Sequence, residues 1–255
     1  MSTDVVAVAR GWLDSGLSVA LARVVGTWGS SPRRPGSIMC VNEQGEFAGS
    51  VSGGCVESAV VEEALGVLRG GEPRLLEYGV TNEDAWEVGL ACGGSVEVYV
   101  ERLTDSGLLD ALDVPAVRSA PTVVATDLAS GQRAVYQMAT GDDGTVTVTP
   151  ENVDMSEDLA QSATLLAAVT SALTADLSHA ADVEGHRIFL HAVNPPVRVL
   201  VIGAVHITQA LASMVSAVGF EVVVVDPRTA FATAARFAGV ELVHAWPAEA
   251  LGTLG

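Results

Sequence analysis

The sequence contains no lysine. All 13 basic residues are arginines, so lysine Schiff-base chemistry and a Walker-type phosphate lysine are both excluded. Any anion must be held by guanidinium groups or backbone amides. Against those 13 cations stand 31 carboxylates, a formal net charge of -18. A surface so acidic repels phosphate backbones and anionic lipid headgroups, which excludes a general nucleic-acid or membrane-surface binder. Cysteine is scarce as well: Cys40, Cys55 and Cys92 form an odd set without CxxC spacing, and the five histidines add no ligand set, so neither a disulfide framework nor a structural zinc is expected. The opening "MSTDVVAVARGWLDSG" has neither a basic flank nor a sustained apolar stretch. The most apolar region, 197–225, is interrupted by Arg198, His206, Gln209, Ser213 and Glu221. We therefore expect a cytoplasmic protein with free thiols and no membrane span.

What is present divides the 255 residues into two parts. A short helix is expected over 4–14, followed by a Val- and Leu-rich strand over 18–27 that ends where "WGSSPRRPGS" begins a loop at Trp28. "SIMCV" and "FAGSV" flank Asn42-Glu43-Gln44-Gly45 and read as a hairpin. Val56, Val60, Ala64 and Leu68 recur at helical spacing, with Glu57, Glu62 and Glu63 at polar positions and Gly70-Gly71 as the stop. Val96, Val98 and Val100 alternate with Glu97, Tyr99 and Glu101 as in a half-buried strand. Strands over 121–126, 132–138 and 144–149 and a helix over 157–176 complete the first part. After "HRIFLHAV", Pro195-Pro196 marks a boundary. The expected fold class is α/β: a mixed α/β domain over 1–194, then a Rossmann-like parallel-sheet domain over 197–255, incomplete in this chain and opening on a fully buried strand.

Two short motifs carry chemistry in the first part. In "SVSGGCVESAV", Gly53 and Gly54 can turn their amides toward one point, and a helix N-terminus adds about half a positive charge, so the turn favours an anion and a thiolate at Cys55. In "LACGG" the order is reversed, with Cys92 preceding Gly93 and Gly94. The cysteines are separated by 36 residues (56–91). Each glycine pair also has a plainer reading, a tight turn beside a small packing residue. With Arg33 and Arg34 in the neighbouring loop, they could instead line one cleft for a phosphorylated ligand bearing sulfur or a soft metal.

In the second part, "RVLVIGAVHITQALASMVSAVGFEVVVVDPR" has the strand–turn–helix–strand spacing of a dinucleotide-binding unit. Gly203 holds the first glycine position, but Val205 and Thr208 occupy the second and third, which counts against NAD(P). Asp226 stands where a ribose 2′-hydroxyl would be accepted. A half Rossmann sheet leaves an unpaired edge and apolar helix faces, so a homodimer is expected.

Three stretches, "GTWGSSPRRPGSIMCVNEQGEFAGSVSGGCVESAVVEEA", "GVTNEDAWEVGLACGGSVEVYVE" and the 198–237 segment, closely resemble the XdhC/CoxI family, accessory proteins in the maturation of xanthine dehydrogenase and carbon monoxide dehydrogenase. The resemblance implies an N-terminal α/β domain joined to a Rossmann domain. It implies a protein that binds molybdenum cofactor, shields it while its terminal sulfur is installed, and passes it to an apo molybdenum hydroxylase, with a cysteine desulfurase as a further partner. It points to Cys55 and Cys92 as the cofactor-contacting thiols, gives Arg33 and Arg34 no role of their own, and finds Val205 where the family has glycine. Two other readings stay open: an NAD(P)-dependent oxidoreductase built on Gly203, Gly219 and Asp226, and a scaffold for hydroxylase subunits in which the cysteines only pack.

Overall fold

A computed structural model of the chain describes residues 4–79, 93–113, 120–141 and 146–254. It forms two compact units, one ending at Pro195 and the other beginning at Pro196.

The first unit contains, in chain order, α1 (Val5–Asp14), β1 (Val19–Trp28), β2 (Ile38–Asn42), β3 (Phe47–Gly49), α2 (Glu57–Gly70), β4 (Arg74–Tyr78), β5 (Ser95–Arg102), α3 (Gly107–Leu112), β6 (Thr122–Asp127), β7 (Arg133–Thr140), β8 (Val146–Glu151), α4 (Glu157–Ala160), α5 (Ala163–Ala175), β9 (His179–Val183) and β10 (His186–Val193). The strands make two antiparallel sheets, ordered β3-β2-β1-β5-β4 and β8-β7-β6-β10-β9.

The period-two alternation of β1 builds the layers. Ala20, Ala22 and Val24 face α2, which answers with Val60, Ala64, Val67 and Leu68 along one stripe. Gly71, in the left-handed region at φ 84°, ends α2 by donating its amide to the Val67 carbonyl at 2.7 Å. On the other face, Val19 and Leu21 share a core with Val124, Val135 and Val193 of the second sheet, closed by α1 and α3. The far side of the second sheet packs on α5 through Leu165, Val169, Ala172 and Leu173. The first unit is thus a helix–sheet–sheet–helix stack.

Arg23 centres a polar cluster between the sheets. It is fully buried, donates to Glu101 Oε1 at 2.6 Å and Thr126 Oγ1 at 3.0 Å, and lies 5.7 Å from the Tyr99 ring and 5.5 Å from that of Phe189. Arg133 takes the second oxygen of Glu101 at 3.0 Å. Cys40 lies in the core shared by the sheets, and burial pushes its thiol up to about 11, so it is a packing residue.

The helix expected over 157–176 is two. Ser156 accepts the Leu159 amide and Ser162 the Leu165 amide, so the second serine stops one helix and caps the next.

The second unit contains β11 (Arg198–Ile202), α6 (His206–Ala217), β12 (Glu221–Val225), β13 (Glu241–Val243) and α7 (Pro247–Leu254). Its parallel sheet runs β11-β12-β13. The strand buried throughout its apolar run is β12, with Val222 to Val225 enclosed. β11, expected to be fully buried, is an edge strand whose Ile202 is 56% exposed. An apolar run cannot distinguish a central strand from an edge, because both read as the same string of β-branched residues. Among the described residues, no helix is long and apolar enough to cross a membrane.

Candidate functional site

The turn joining β3 to α2 is built around one carboxylate. Periodicity alone places Glu57 on the solvated face of its helix; the structure buries it instead. Its Oε1 accepts from the Ser50 hydroxyl at 2.6 Å and from the amides of Val51, Ser52 and Gly53 at 3.2, 3.0 and 3.1 Å. Its Oε2 accepts from the Ser52 hydroxyl at 2.5 Å and the Gly54 amide at 2.8 Å. Ser52 Oγ in turn accepts the amides of Cys55 and Val56, both at 3.0 Å. Burial alone would raise the carboxyl, but the serine hydroxyls and amides outweigh it and hold Glu57 at about 2.

That arrangement revises the electrostatics expected of the turn. Gly53 and Gly54 do adopt positive φ, 84° and 116°, as the sharp turn requires. Their amides, however, are directed at Glu57 and are not donors for an incoming phosphate. α2 begins at Glu57, two residues past Cys55, so the helix end is also met by the protein's own anion. What the turn offers to solvent is the thiol: Cys55 is exposed, its backbone anchored by Ser52.

A second loop ties this turn to the other cysteine motif. Cys92 lies outside the described residues, but Gly93 and Gly94 lie within them. A Cβ on Gly94 would sit 2.5 Å from the Ser30 carbonyl and 2.7 Å from that of Trp28, so only glycine lets β5 begin against the loop after β1. The same loop reaches the first motif, since a Cβ on Gly53 would lie 3.5 Å from Pro32 Cγ. The short stretch from Trp28 to Pro32 therefore borders both glycine pairs. Arg33 and Arg34 follow directly and are exposed, the Arg33 carbonyl accepting from the Ser31 hydroxyl at 2.9 Å.

In the second unit, Gly203 and Asp226 line one cavity of about 590 Å³ with Arg228 and Trp246. Asp226 is committed elsewhere. It is buried and accepts from the Ala204 amide at 2.8 Å, from the Arg228 amide at 2.9 Å, and from the Arg228 guanidinium through Nε at 2.9 Å and Nη2 at 2.8 Å. The Arg228 guanidinium holds this carboxyl well below the usual carboxylate range. The expected ribose acceptor is thus a staple between the end of β12 and the start of the β11–α6 turn. Thr208, at the third fingerprint position, is buried and donates to the Gly203 carbonyl at 2.7 Å.

Sequence reasoning missed Glu57 as a structural centre, although a signal was present. A glutamate three residues after a turn amide has capping-box spacing, and Glu57 stands in that relation to Gly54. Likewise, the Asp-Pro-Arg order at 226–228 contains the partner that engages Asp226.

Comparison with known proteins agrees with this architecture. The profile of the XdhC and CoxI family matches residues 12–79, and that of the XdhC Rossmann domain matches 199–250. A molybdenum cofactor insertion chaperone of Escherichia coli, PaoD, is 36% identical over 91 residues, 36% of this chain and 28% of its own length. A Bacillus subtilis protein named as a probable subunit of xanthine dehydrogenase is 25% identical over 235 residues, 91% of this chain and 66% of its own length. The chain thus spans less than two thirds of either relative. The fold is that of a Bacillus halodurans xanthine dehydrogenase structure, with a TM-score of 0.65 and 22% identity over 98% of this chain and 70% of that one. The two profiles match in chain order, that of the XdhC and CoxI family on the unit that carries the Cys55 turn and that of the XdhC Rossmann domain on the unit that carries the parallel sheet.

Proposed function

We propose that the chain is an accessory protein that takes molybdenum cofactor as cargo and passes it to an apo molybdenum hydroxylase of the xanthine dehydrogenase or carbon monoxide dehydrogenase type. The observation that carries this reading is the Cys55 turn: an exposed thiol on a backbone whose Ser52, Gly53, Gly54, Cys55 and Val56 amides all have internal acceptors. Such a thiol is held in place without help from the cargo, and thiolate is a soft ligand suited to the metal or its sulfur shell. Cys92 is the second thiol of the proposal, with Gly94, two residues on, setting the approach of β5 to the loop that borders Gly53. With those amides engaged, the cargo's phosphate falls to Arg33 and Arg34, whose forks match phosphate geometry. The name of the Escherichia coli relative supports the cargo, and those of the two Bacillus relatives support the class of client. A cysteine desulfurase that installs the terminal sulfur, a homodimeric assembly and a cytoplasmic setting belong to the same reading.

The test is retention. The chain is purified from cells with an intact cofactor pathway, and molybdenum and pterin are measured per chain for wild type and for Cys55→Ala, Cys92→Ala. Loss of both from the double variant, with loss of client activation, is the expected result; full retention with full activation contradicts it. The oxidoreductase alternative finds less support, because Asp226 is engaged by Ala204 and Arg228.

A further inference from the structure

A second feature lies at the same end of the first sheet as both cysteine motifs. The β1–β5 ladder slips between Val24 and Gly26, a bulge that precedes the last residues of β1. Beyond it, Gly26 faces Glu97, and a Cβ at Gly26 would collide with the Glu97 carboxylate. Glycine here makes room for an acid to lie across the strand. The row of β5 that faces the second sheet consists of Glu97, Tyr99 and Glu101; Glu101 is consumed by Arg23 and Arg133, whereas Glu97 sits at the open end and receives Arg187 Nη2 at 2.6 Å.

This end encloses a cavity of about 390 Å³ lined by Gly26, Trp28, Glu77, Glu97, His179 and Arg187. Two details of the lining suit a ligand. Glu77 and Glu97 stand directly opposite each other across β4 and β5, a like-charge pairing offset by Arg187, which interacts with both carboxylates. Trp28 leaves 75% of its surface in water, although an indole is among the most favourable groups to cover.

Resting on the cargo reading above, we propose that this cavity holds the pterin end of the cofactor, edge-on to Glu97 and Glu77 with its ring against Trp28. The chemistry is complementary. A 2-amino-4-oxo pterin presents two adjacent N–H donors beside a carbonyl acceptor; carboxylates accept the first two and the Arg187 guanidinium donates to the third. The carboxylate excess repels phosphate, which directs that end of the cargo outward to Arg33 and Arg34. The placement also suits an elongated cargo: Trp28 opens the loop whose Pro32 borders Gly53, and four residues span at most about 14 Å. A pterin head beside Trp28 thus lies a short distance from the turn that presents Cys55.

The probe is free pterin, titrated into the full chain while tryptophan fluorescence is followed, with lumazine, which has an oxo group in place of the 2-amino donor, as comparison. Saturable pterin binding is expected below a concentration on the order of 1 mM. Lumazine should bind at least about tenfold more weakly, and Glu97→Gln should weaken pterin by at least about tenfold. Trp28→Ala, at a three-quarters exposed position that leaves the fold intact, should abolish most of the quenching. Absence of pterin binding, equal affinity for lumazine, or an unchanged Glu97→Gln variant overturns the proposal. Failure here and failure of the cargo reading are separable. If Cys55→Ala, Cys92→Ala loses the cofactor while pterin does not bind, the cavity is wrong and the cargo stands. If pterin binds through Glu97 but the purified chain carries no molybdenum, the cavity stands and the cargo is wrong.

Discussion

Two turns in this chain share a plan and differ in outcome. Each leads from a strand through glycine into a helix: Ser50–Val56 into α2, and Gly203–Val205 into α6. In each, a carboxylate of the protein takes turn amides, Glu57 in the first and Asp226 in the second. The first exposes a thiol, whereas the second exposes Val205 where a dinucleotide fold needs a glycine. A glycine turn before a helix is therefore not an anion site by default; the identity of the internal acceptor decides what remains for a ligand.

The largest expected effect comes from removing the first acceptor. Glu57→Ala leaves the buried amides of Val51 and Ser52 without an acceptor, at about 1–3 kcal/mol per unsatisfied group, so a loss on the order of 3 kcal/mol in urea unfolding is expected. A loss below about 1 kcal/mol would make the carboxylate incidental to the turn.

Acid titration sharpens the same point. The folded carboxyl of Glu57, at about 2, lies below its unfolded value of about 4.3, so its contribution is complete above that unfolded value and is lost as pH falls through the interval toward 2. Stability measured across this interval should decline more steeply for wild type than for Glu57→Gln, which does not titrate. Equal slopes would break the assignment.

A smaller effect is expected at the second turn. Asp226→Asn keeps the shape but weakens the Arg228 fork, and with that guanidinium half exposed the cost should be about 1 kcal/mol, seen as faster amide exchange at Ala204. A cost equal to that of Glu57→Ala would erase the distinction between the turns.

The smallest perturbation leaves the sequence unchanged. A thiol reagent should modify exposed Cys55 rapidly, while Cys40, buried with its thiol at about 11, should react only on unfolding. Comparable rates for the two, measured by peptide mass, would contradict the contrast between presented and packed cysteine.

The sequence made the larger elements legible where periodicity was strong. β1, α2, β5 and the βαβ start of the second unit follow alternating or helical stripes of Val, Leu and Ala. β4 and β9 were not legible: Arg74–Tyr78 and His179–Val183 are edge strands with little buried surface, so little selects an apolar pattern. The site was legible as residue types but not as bonding. By type alone, Gly53, Gly54 and Asp226 have polar groups to offer a ligand, whereas the structure shows those groups already engaged by Glu57, Ala204 and Arg228. Conversely, nothing in their own segments says why glycine is required at 94 and 26, since the atoms that require it belong to Trp28, Ser30 and Glu97 on other segments.

The most direct test of the account is the molybdenum content of Cys55→Ser, purified with the cofactor pathway intact. Serine preserves the turn and its hydrogen bonds and removes only the sulfur, so the account predicts a folded chain of unchanged stability that has lost its molybdenum. A Cys55→Ser chain carrying as much molybdenum as wild type would contradict it.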